Sequence, residues 1–312
     1  MSLLRPLVVA LCFLALLFAG DRLLGAWLHG HVDASHNVHA RLYAGRLPAA
    51  DVLFIGSSRS REHFPAVRLG EELGVTMVNL GWGGLSSQQV EAILLDYLDR
   101  YPAPRVLVLE VTSPEADQQM IRNLRLFEAA SPRLRVLVAH EEPALYWSGR
   151  LFHLLHYNNK LFFDMVRYGL DEADYLTEGV IPERELARIR RERAIPWEYR
   201  EEDLQAVGRT VRTARSLGIE VAAVITPILP DYLVRLEGFA AWRSKVLGAL
   251  PEGVRLWDYS AAVTNLRAFR DDLHLNAGGV SELLDRMRRD GLPGLAPASS
   301  AGDRPSGHGA PG

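Results

Sequence analysis

Residues 6–20 (PLVVALCFLALLFAG) carry no charge, Asp21 and Arg22 interrupt the run, and LLGAWL extends it to Leu28. The uncharged part is shorter than the roughly 20 residues of a comfortable membrane span. With Asp21 and Arg22 at the interface, an apolar helix over 1–28 reaches that length. Arg5 on the short flank predicts the N-terminus inside and the rest of the chain outside. No pair of small residues stands where a signal peptidase would cut, since Leu17 with Ala19 and Phe18 with Gly20 both fail. An uncleaved anchor is therefore preferred to a cleaved signal peptide.

Further along, short apolar runs alternate with stretches of helical period. Residues 51–55 (DVLFI), 76–80 (TMVNL), 105–111 (RVLVLEV), 219–225 (IEVAAVI) and 254–257 read as strands. Between them, Ser86 or Ser87 opens a helix whose Val90, Ile93, Leu94 and Leu98 share one face. An amphipathic helix over 203–217 is closed by Gly218. Nearly continuous apolar strands separated by helices predict an α/β domain, with about five parallel strands covered on both faces. This domain runs from 51 to about 290. Residues 119–200, aromatic and charged, break the rhythm and are expected to be a helical insertion. Residues 29–50 are expected to be a juxtamembrane connector. The Gly-, Pro-, Ala- and Ser-rich stretch 291–312 is expected to be a disordered tail.

Composition narrows the function. A net charge of −3 and a pI near 6.4 leave no electrostatic footprint for nucleic acid. The single cysteine, Cys12, lies in the apolar run, so the domain has no disulfide and no cysteine metal site. His29, His31, His36 and His39 lack the accompanying Cys or carboxylate pattern, and no metal or cofactor is expected.

The candidate chemistry lies at the carboxyl ends of the strands, where ligands bind in open α/β sheets. The first strand exits into Gly56-Ser57-Ser58-Arg59-Ser60, the second into Asn79-Leu80-Gly81-Trp82-Gly83-Gly84, and the third into Glu110-Val111-Thr112-Ser113-Pro114. Asp271-Asp272-Leu273-His274-Leu275-Asn276 follows the fifth. A serine hydroxyl becomes a nucleophile when an imidazole takes its proton, and a carboxylate fixes the imidazole's tautomer. A glycine-rich loop lets a backbone N–H reach a developing oxyanion. Asp271 and Asp272 compete as orienter, and the three-residue spacing to His274 favours Asp271. Arg59 and Trp82 are substrate-binding candidates, although the preferred reading of Arg59 is that it pairs with an acidic neighbour and braces the loop. His63 reads as a structural histidine. Asn276 is placed to cap a helix starting near Ala277.

The strand followed by G-S-S, the N-x-G-x-x-G loop and the D-x-x-H-x-N segment resemble blocks of the SGNH/GDSL hydrolases, over 51–290 without the insertion. The resemblance implies a flavodoxin-like three-layer α/β/α fold. It also implies Ser58 as nucleophile, His274 as general base and Asp271 as orienter, with the N–H groups of Ser58 and Gly84 as oxyanion donors. Ser57 stands where the family has Asp. The family's G-x-N-D after the third strand is here TSPE, so a usual donor is missing and Ser113 is its nearest substitute. G-S-S behind an anchor is similar to the SGNH-like proteins of cell-envelope acylation. That implies a single-pass, periplasmic acyltransferase or esterase at the inner membrane, acting on an acylated glycan or carrier beside a membrane-bound O-acyltransferase. A catalytically inactive scaffold for such an acyltransferase is the alternative.

Overall fold

The computed structural model describes residues 4–112, 118–168 and 174–295. Seven strands occur among them: β1 Val52–Ile55, β2 Met77–Asn79, β3 Val106–Glu110, β4 Ile195–Pro196, β5 Glu220–Ile225, β6 Leu236–Glu237 and β7 Leu256–Asp258. Five form one sheet in the order β2-β1-β3-β5-β7, and every pairing in it is parallel. The remaining two, β4 and β6, pair separately. The five sheet strands are the five apolar runs read from the sequence. The order reverses on either side of β1, so the chain leaves β1 at a switch point, where parallel sheets open a crevice.

Alternation along the strands divides the core into two layers. Leu53, Ile55, Leu107, Leu109, Ala223 and Ile225 face one side, packed on helices Ser87–Arg100, Glu201–Ser216 and Phe239–Ala249. Val52, Phe54, Val106, Val108, Ala222 and Val224 face the other, packed on Ala66–Leu73, Glu183–Arg191 and Ala277–Arg289. The result is a three-layer α/β/α sandwich. Local signals set the helix ends. Ser86 and Gln89 form a reciprocal capping box before Ser87–Arg100. Gly218, at φ 78°, takes the left-handed turn after Glu201–Ser216. Asn276 Oδ1 accepts the Gly279 N–H at 3.1 Å to start Ala277–Arg289.

The segment 119–200 is largely helical, carrying Gln118–Leu124, Pro132–Glu141, Pro143–Leu151, Lys160–Tyr168 and Glu183–Arg191. The first helix, Leu4–Ala34, continues beyond residue 28 without a break, with a most apolar window of mean hydropathy 2.2. Among the described residues it alone is long and apolar enough to cross a membrane.

Two stretches are more ordered than their composition suggests. Within 29–50, Asn37 caps helix Val38–Tyr43 through the N–H groups of His39 and Ala40, and His39, Ala40 and Leu42 are buried in the domain core. These residues form part of the wall of the domain. At the other end, Leu292 and Leu295 are fully buried, although they begin the stretch expected to be a disordered tail. A Cβ added to Gly294 between them would meet Val52 and Val106 at 3.0 and 3.3 Å. This seat predicts that Leu295→Ala, by removing a buried branched side chain, lowers stability by about 2–5 kcal/mol. Urea unfolding of the full chain measures the difference.

Candidate active site

Ser58 is delivered by the exit of β1. Gly56 passes so close to β3 that an added Cβ would lie 2.7 Å from Glu110 Cβ, so a side chain there would push the strands apart. Ser57 then begins helix Ser58–His63, with its hydroxyl 3.3 Å from Glu110 Oε2 and from the Thr112 carbonyl. Glu110 also accepts the hydroxyl of Thr112 and, at 3.2 Å, its N–H. The buried carboxyl under this turn thus comes from β3, beside Ser57. The sequence places Glu110 in this exit loop but assigns it no role, since it closes an apolar run.

His274 reaches Ser58 from the loop before the last long helix. The Asp271 carboxylate accepts the N–H groups of Leu273 and His274 at 2.9 and 2.8 Å, which curls D-D-L-H into a tight turn. The same carboxylate lies 2.9 and 3.0 Å from His274 Nδ1, and His274 Nε2 lies 2.7 Å from Ser58 Oγ. With the Nδ1 proton on the carboxylate side, the Nε2 lone pair faces the hydroxyl. Burial alone would raise the Asp271 carboxyl. Hydrogen bonds from the His274 ring and from the two backbone N–H groups outweigh it and hold the group well below the usual carboxylate range. Asp272 sits differently: its carbonyl accepts the Leu229 N–H at 3.0 Å, and burial followed by the neighbouring Asp271 charge pushes its carboxyl up. Of the two acids, Asp271 is the one at the imidazole.

Three further side chains lock this geometry. His63, fully buried, accepts the Leu275 N–H on Nε2 at 3.0 Å, tying the end of the Ser58 helix to the residue after His274. Asn79 donates to the carbonyls of Ser60 and Phe64, both at 2.8 Å, and accepts the Gly81 N–H at 2.8 Å. It bolts the glycine-rich loop to the Ser58 helix. Arg270 bridges Glu62 at 2.8 Å and Asp271 at 3.3 Å. His63 and Glu62 follow Ser58 by five and four residues, so only the helical turn brings them to the second loop.

The other predicted site residues fare unevenly. Arg59 is not available to substrate. It is 2% exposed, and its guanidinium donates to the carbonyls of Thr226 and Pro227 at the exit of β5. Backbone geometry turns it inward, because a residue next to Ser58 on a helix points to a different side. Trp82 is likewise drawn into the core. It stacks on His39 at 4.4 Å between ring centres, leaving only an edge on a pocket of about 470 Å³ that Arg61, Asn79 and Tyr175 also line. Gly83 is the residue of this loop that faces the serine, an added Cβ lying 3.7 Å from Ser58 Cβ. Gly84 follows at φ 81°, where a side chain would be strained. Ser113 lies outside the described residues.

No protein-family model matches the chain, and no curated protein matches it. Among solved structures it is similar to one described as "a putative platelet activating factor from Streptococcus pneumonia". The identity is 14% and the TM-score 0.42, over 87% of this chain and 98% of that one. The chemistry of the site is carried by its own residues, Ser58, His274 and Asp271 hydrogen-bonded in line at the carboxyl edge of a parallel sheet.

Burial drives His39 down to about 3 and His63 well below the ordinary imidazole value. Both are neutral in the folded state, His39 with Nε2 3.1 Å from the Leu80 carbonyl. The unfolded chain takes up protons at these two rings from about pH 6.5 downward. The folded chain does so only far lower, so stability is lost as pH falls through that window. Thermal unfolding followed from neutral to mildly acid pH should show the decline. His63→Gln, which keeps an acceptor for Leu275, should flatten the slope. His63→Ala should cost about 1–3 kcal/mol at neutral pH by leaving that N–H unpaired.

Proposed function

We propose that this protein is an SGNH-type serine acyltransferase or esterase, held at the outer face of the cytoplasmic membrane by its first helix. It acts on an acylated cell-envelope glycan or carrier through an acyl-Ser58 intermediate. The observation that carries this reading is the unbroken line from Ser58 Oγ to His274 Nε2 at 2.7 Å and from His274 Nδ1 to Asp271 at 2.9 Å. Proton transfer needs this reach, and nucleophile, base and orienter stand within it.

The steps follow from the geometry. Ser58 Oγ attacks the acyl carbonyl as its proton passes to His274 Nε2, and Asp271 stabilises the imidazolium. The N–H groups of Ser58 and Gly84 are the proposed donors to the tetrahedral oxyanion. Collapse expels the alcohol, which takes the proton from His274. An acceptor hydroxyl or water, deprotonated by the same ring, then attacks the acyl carbon, and His274 returns the proton to Ser58 Oγ as its bond to the acyl group breaks. Extracytoplasmic placement and a neighbouring membrane-bound O-acyltransferase belong to the same proposal, supported by the apolar first helix and by the likeness of G-S-S behind an anchor to envelope acylation proteins.

One observation favours the scaffold reading instead. Thr112, at the exit of β3, gives its hydroxyl to Glu110 and so offers no side-chain donor to an oxyanion there. The lack of one such donor lowers turnover by about 10²–10³-fold.

A fluorophosphonate probe separates the readings. The proposal expects labelling of the wild type that disappears in Ser58→Ala. Unlabelled wild type, or labelling that persists without Ser58, overturns the acyl-enzyme. Asp271→Asn should lower turnover of an aryl acetate by about 10⁴-fold, by freeing the imidazole to take the wrong tautomer. The rate should also fall on acidification, because a protonated His274 cannot accept the serine proton.

A further inference from the structure

The large apolar side chains that the core leaves outside are not evenly spread. Beyond the first helix, Trp147, Leu151 and Phe152 are 63%, 67% and 60% exposed at the end of helix Pro143–Leu151. Trp147 and Leu151 are four residues apart and share one helical face, which Phe152 extends. A clustered aromatic and aliphatic surface of this kind marks an interaction site more often than scattered single residues do.

The neighbouring turn shows what lies against it. His153–Tyr157 is clamped to the first helix at the point where the uncharged run ends. The Asp21 carboxylate accepts the N–H groups of His153 and Leu154 at 2.7 and 3.0 Å, and Arg22 Nη2 donates to the Arg150 carbonyl at 2.7 Å. One turn further on, Gly25 meets the His153 ring so closely that an added Cβ would lie 2.8 Å from Nδ1. The clamp therefore fixes Trp147, Leu151 and Phe152 at the level of Asp21 and Arg22. From Leu4 to Gly20 the helix rises about 25 Å at ~1.5 Å per residue, most of a hydrocarbon core of ~30 Å. A helix that spans with residues 4–20 puts Asp21 and Arg22 at the headgroups, and the clamped surface with them.

We propose that the face formed by Trp147, Leu151 and Phe152 rests in the headgroup–acyl boundary of the bilayer that the first helix crosses. Exposed Arg150 then stands at the level of the phospholipid phosphates. Tryptophan and arginine are the residues suited to that layer, and an apolar face sunk about 5–10 Å is how an amphipathic helix lies on a membrane. Lipid is the occupant because the surface is continuous with the lipid-facing first helix; a protein covering it would itself have to sit among headgroups. The inference rests on the spanning reading of that helix and is independent of catalysis. It gives the domain a second foothold, which sets its tilt on the membrane.

The test uses the full chain in phosphatidylethanolamine/phosphatidylglycerol vesicles, with an environment-sensitive fluorophore on single cysteines. Native Cys12, the sole cysteine, reports on the span. In a Cys12→Ser background, Trp147→Cys, Leu151→Cys and Phe152→Cys report on the surface, and the well-exposed Val234→Cys serves as control. The expected result is quenching at Cys12 by a deep acyl-chain nitroxide. Vesicle binding should blue-shift all three surface sites and a shallow nitroxide should quench them, both leaving position 234 unchanged. Quenching at Cys12 with no greater effect at the three sites than at 234 overturns the foothold alone. A blue shift there without lipid quenching also overturns it, assigning the surface to a protein partner. An unquenched Cys12 removes the span and the proposal together, while leaving serine labelling unaffected.

Discussion

Everything at the candidate centre depends on β1 being hydrogen-bonded on both sides. Val52–Ile55 pairs in parallel with β2 and with β3, and the chain can leave only through the narrow exit at Gly56. That exit throws Ser58 onto the first turn of a short helix, between the glycine-rich loop from β2 and the buried Glu110 at the end of β3. The serine is thus placed by the sheet rather than by its own loop. Parallel strands without turns between them are what make such a convergence of loops possible.

The histidine side is built differently. Its loop follows the edge strand β7 and takes its shape from within, by the Asp271 carboxylate gathering two backbone N–H groups and the imidazole. One oxygen cage thereby serves as both turn former and orienter. The two halves are joined by His63 and Arg270, which run from the Ser58 helix to the His274 loop. Preorganisation here is a matter of second contacts, each modest by itself, acting on the same few backbone atoms.

The strands were legible because buried parallel strands read as uninterrupted apolar runs, and 51–55, 105–111 and 219–225 do so cleanly. Ser58, Asp271 and His274 were legible as a pattern of spacing and loop position, and the structure brings the three into one line. What misled were residues whose environment is made by distant chain. Arg59 reads as a brace paired with an acidic neighbour, yet two carbonyls beyond β5 accept its guanidinium instead. Trp82 looks open among glycines, yet His39, from a segment too short to show periodicity, stacks on it. Glu110 heads the third exit loop in the sequence without a role, because an acid ending an apolar strand looks like a boundary, not a buried acceptor.

The packing of the last described residues bears on how the chain acquires this structure. Leu292 and Leu295 close the layer that holds Val52, and Gly294 passes against both Val52 and Val106 at the amino-terminal ends of β1 and β3. The strand that carries the nucleophile therefore finishes its core with residues made about 240 positions later. Contacts of such long sequence separation form slowly, because loop closure precedes their reward. During synthesis the early strands have no lid at that end until residues 292–295 have emerged.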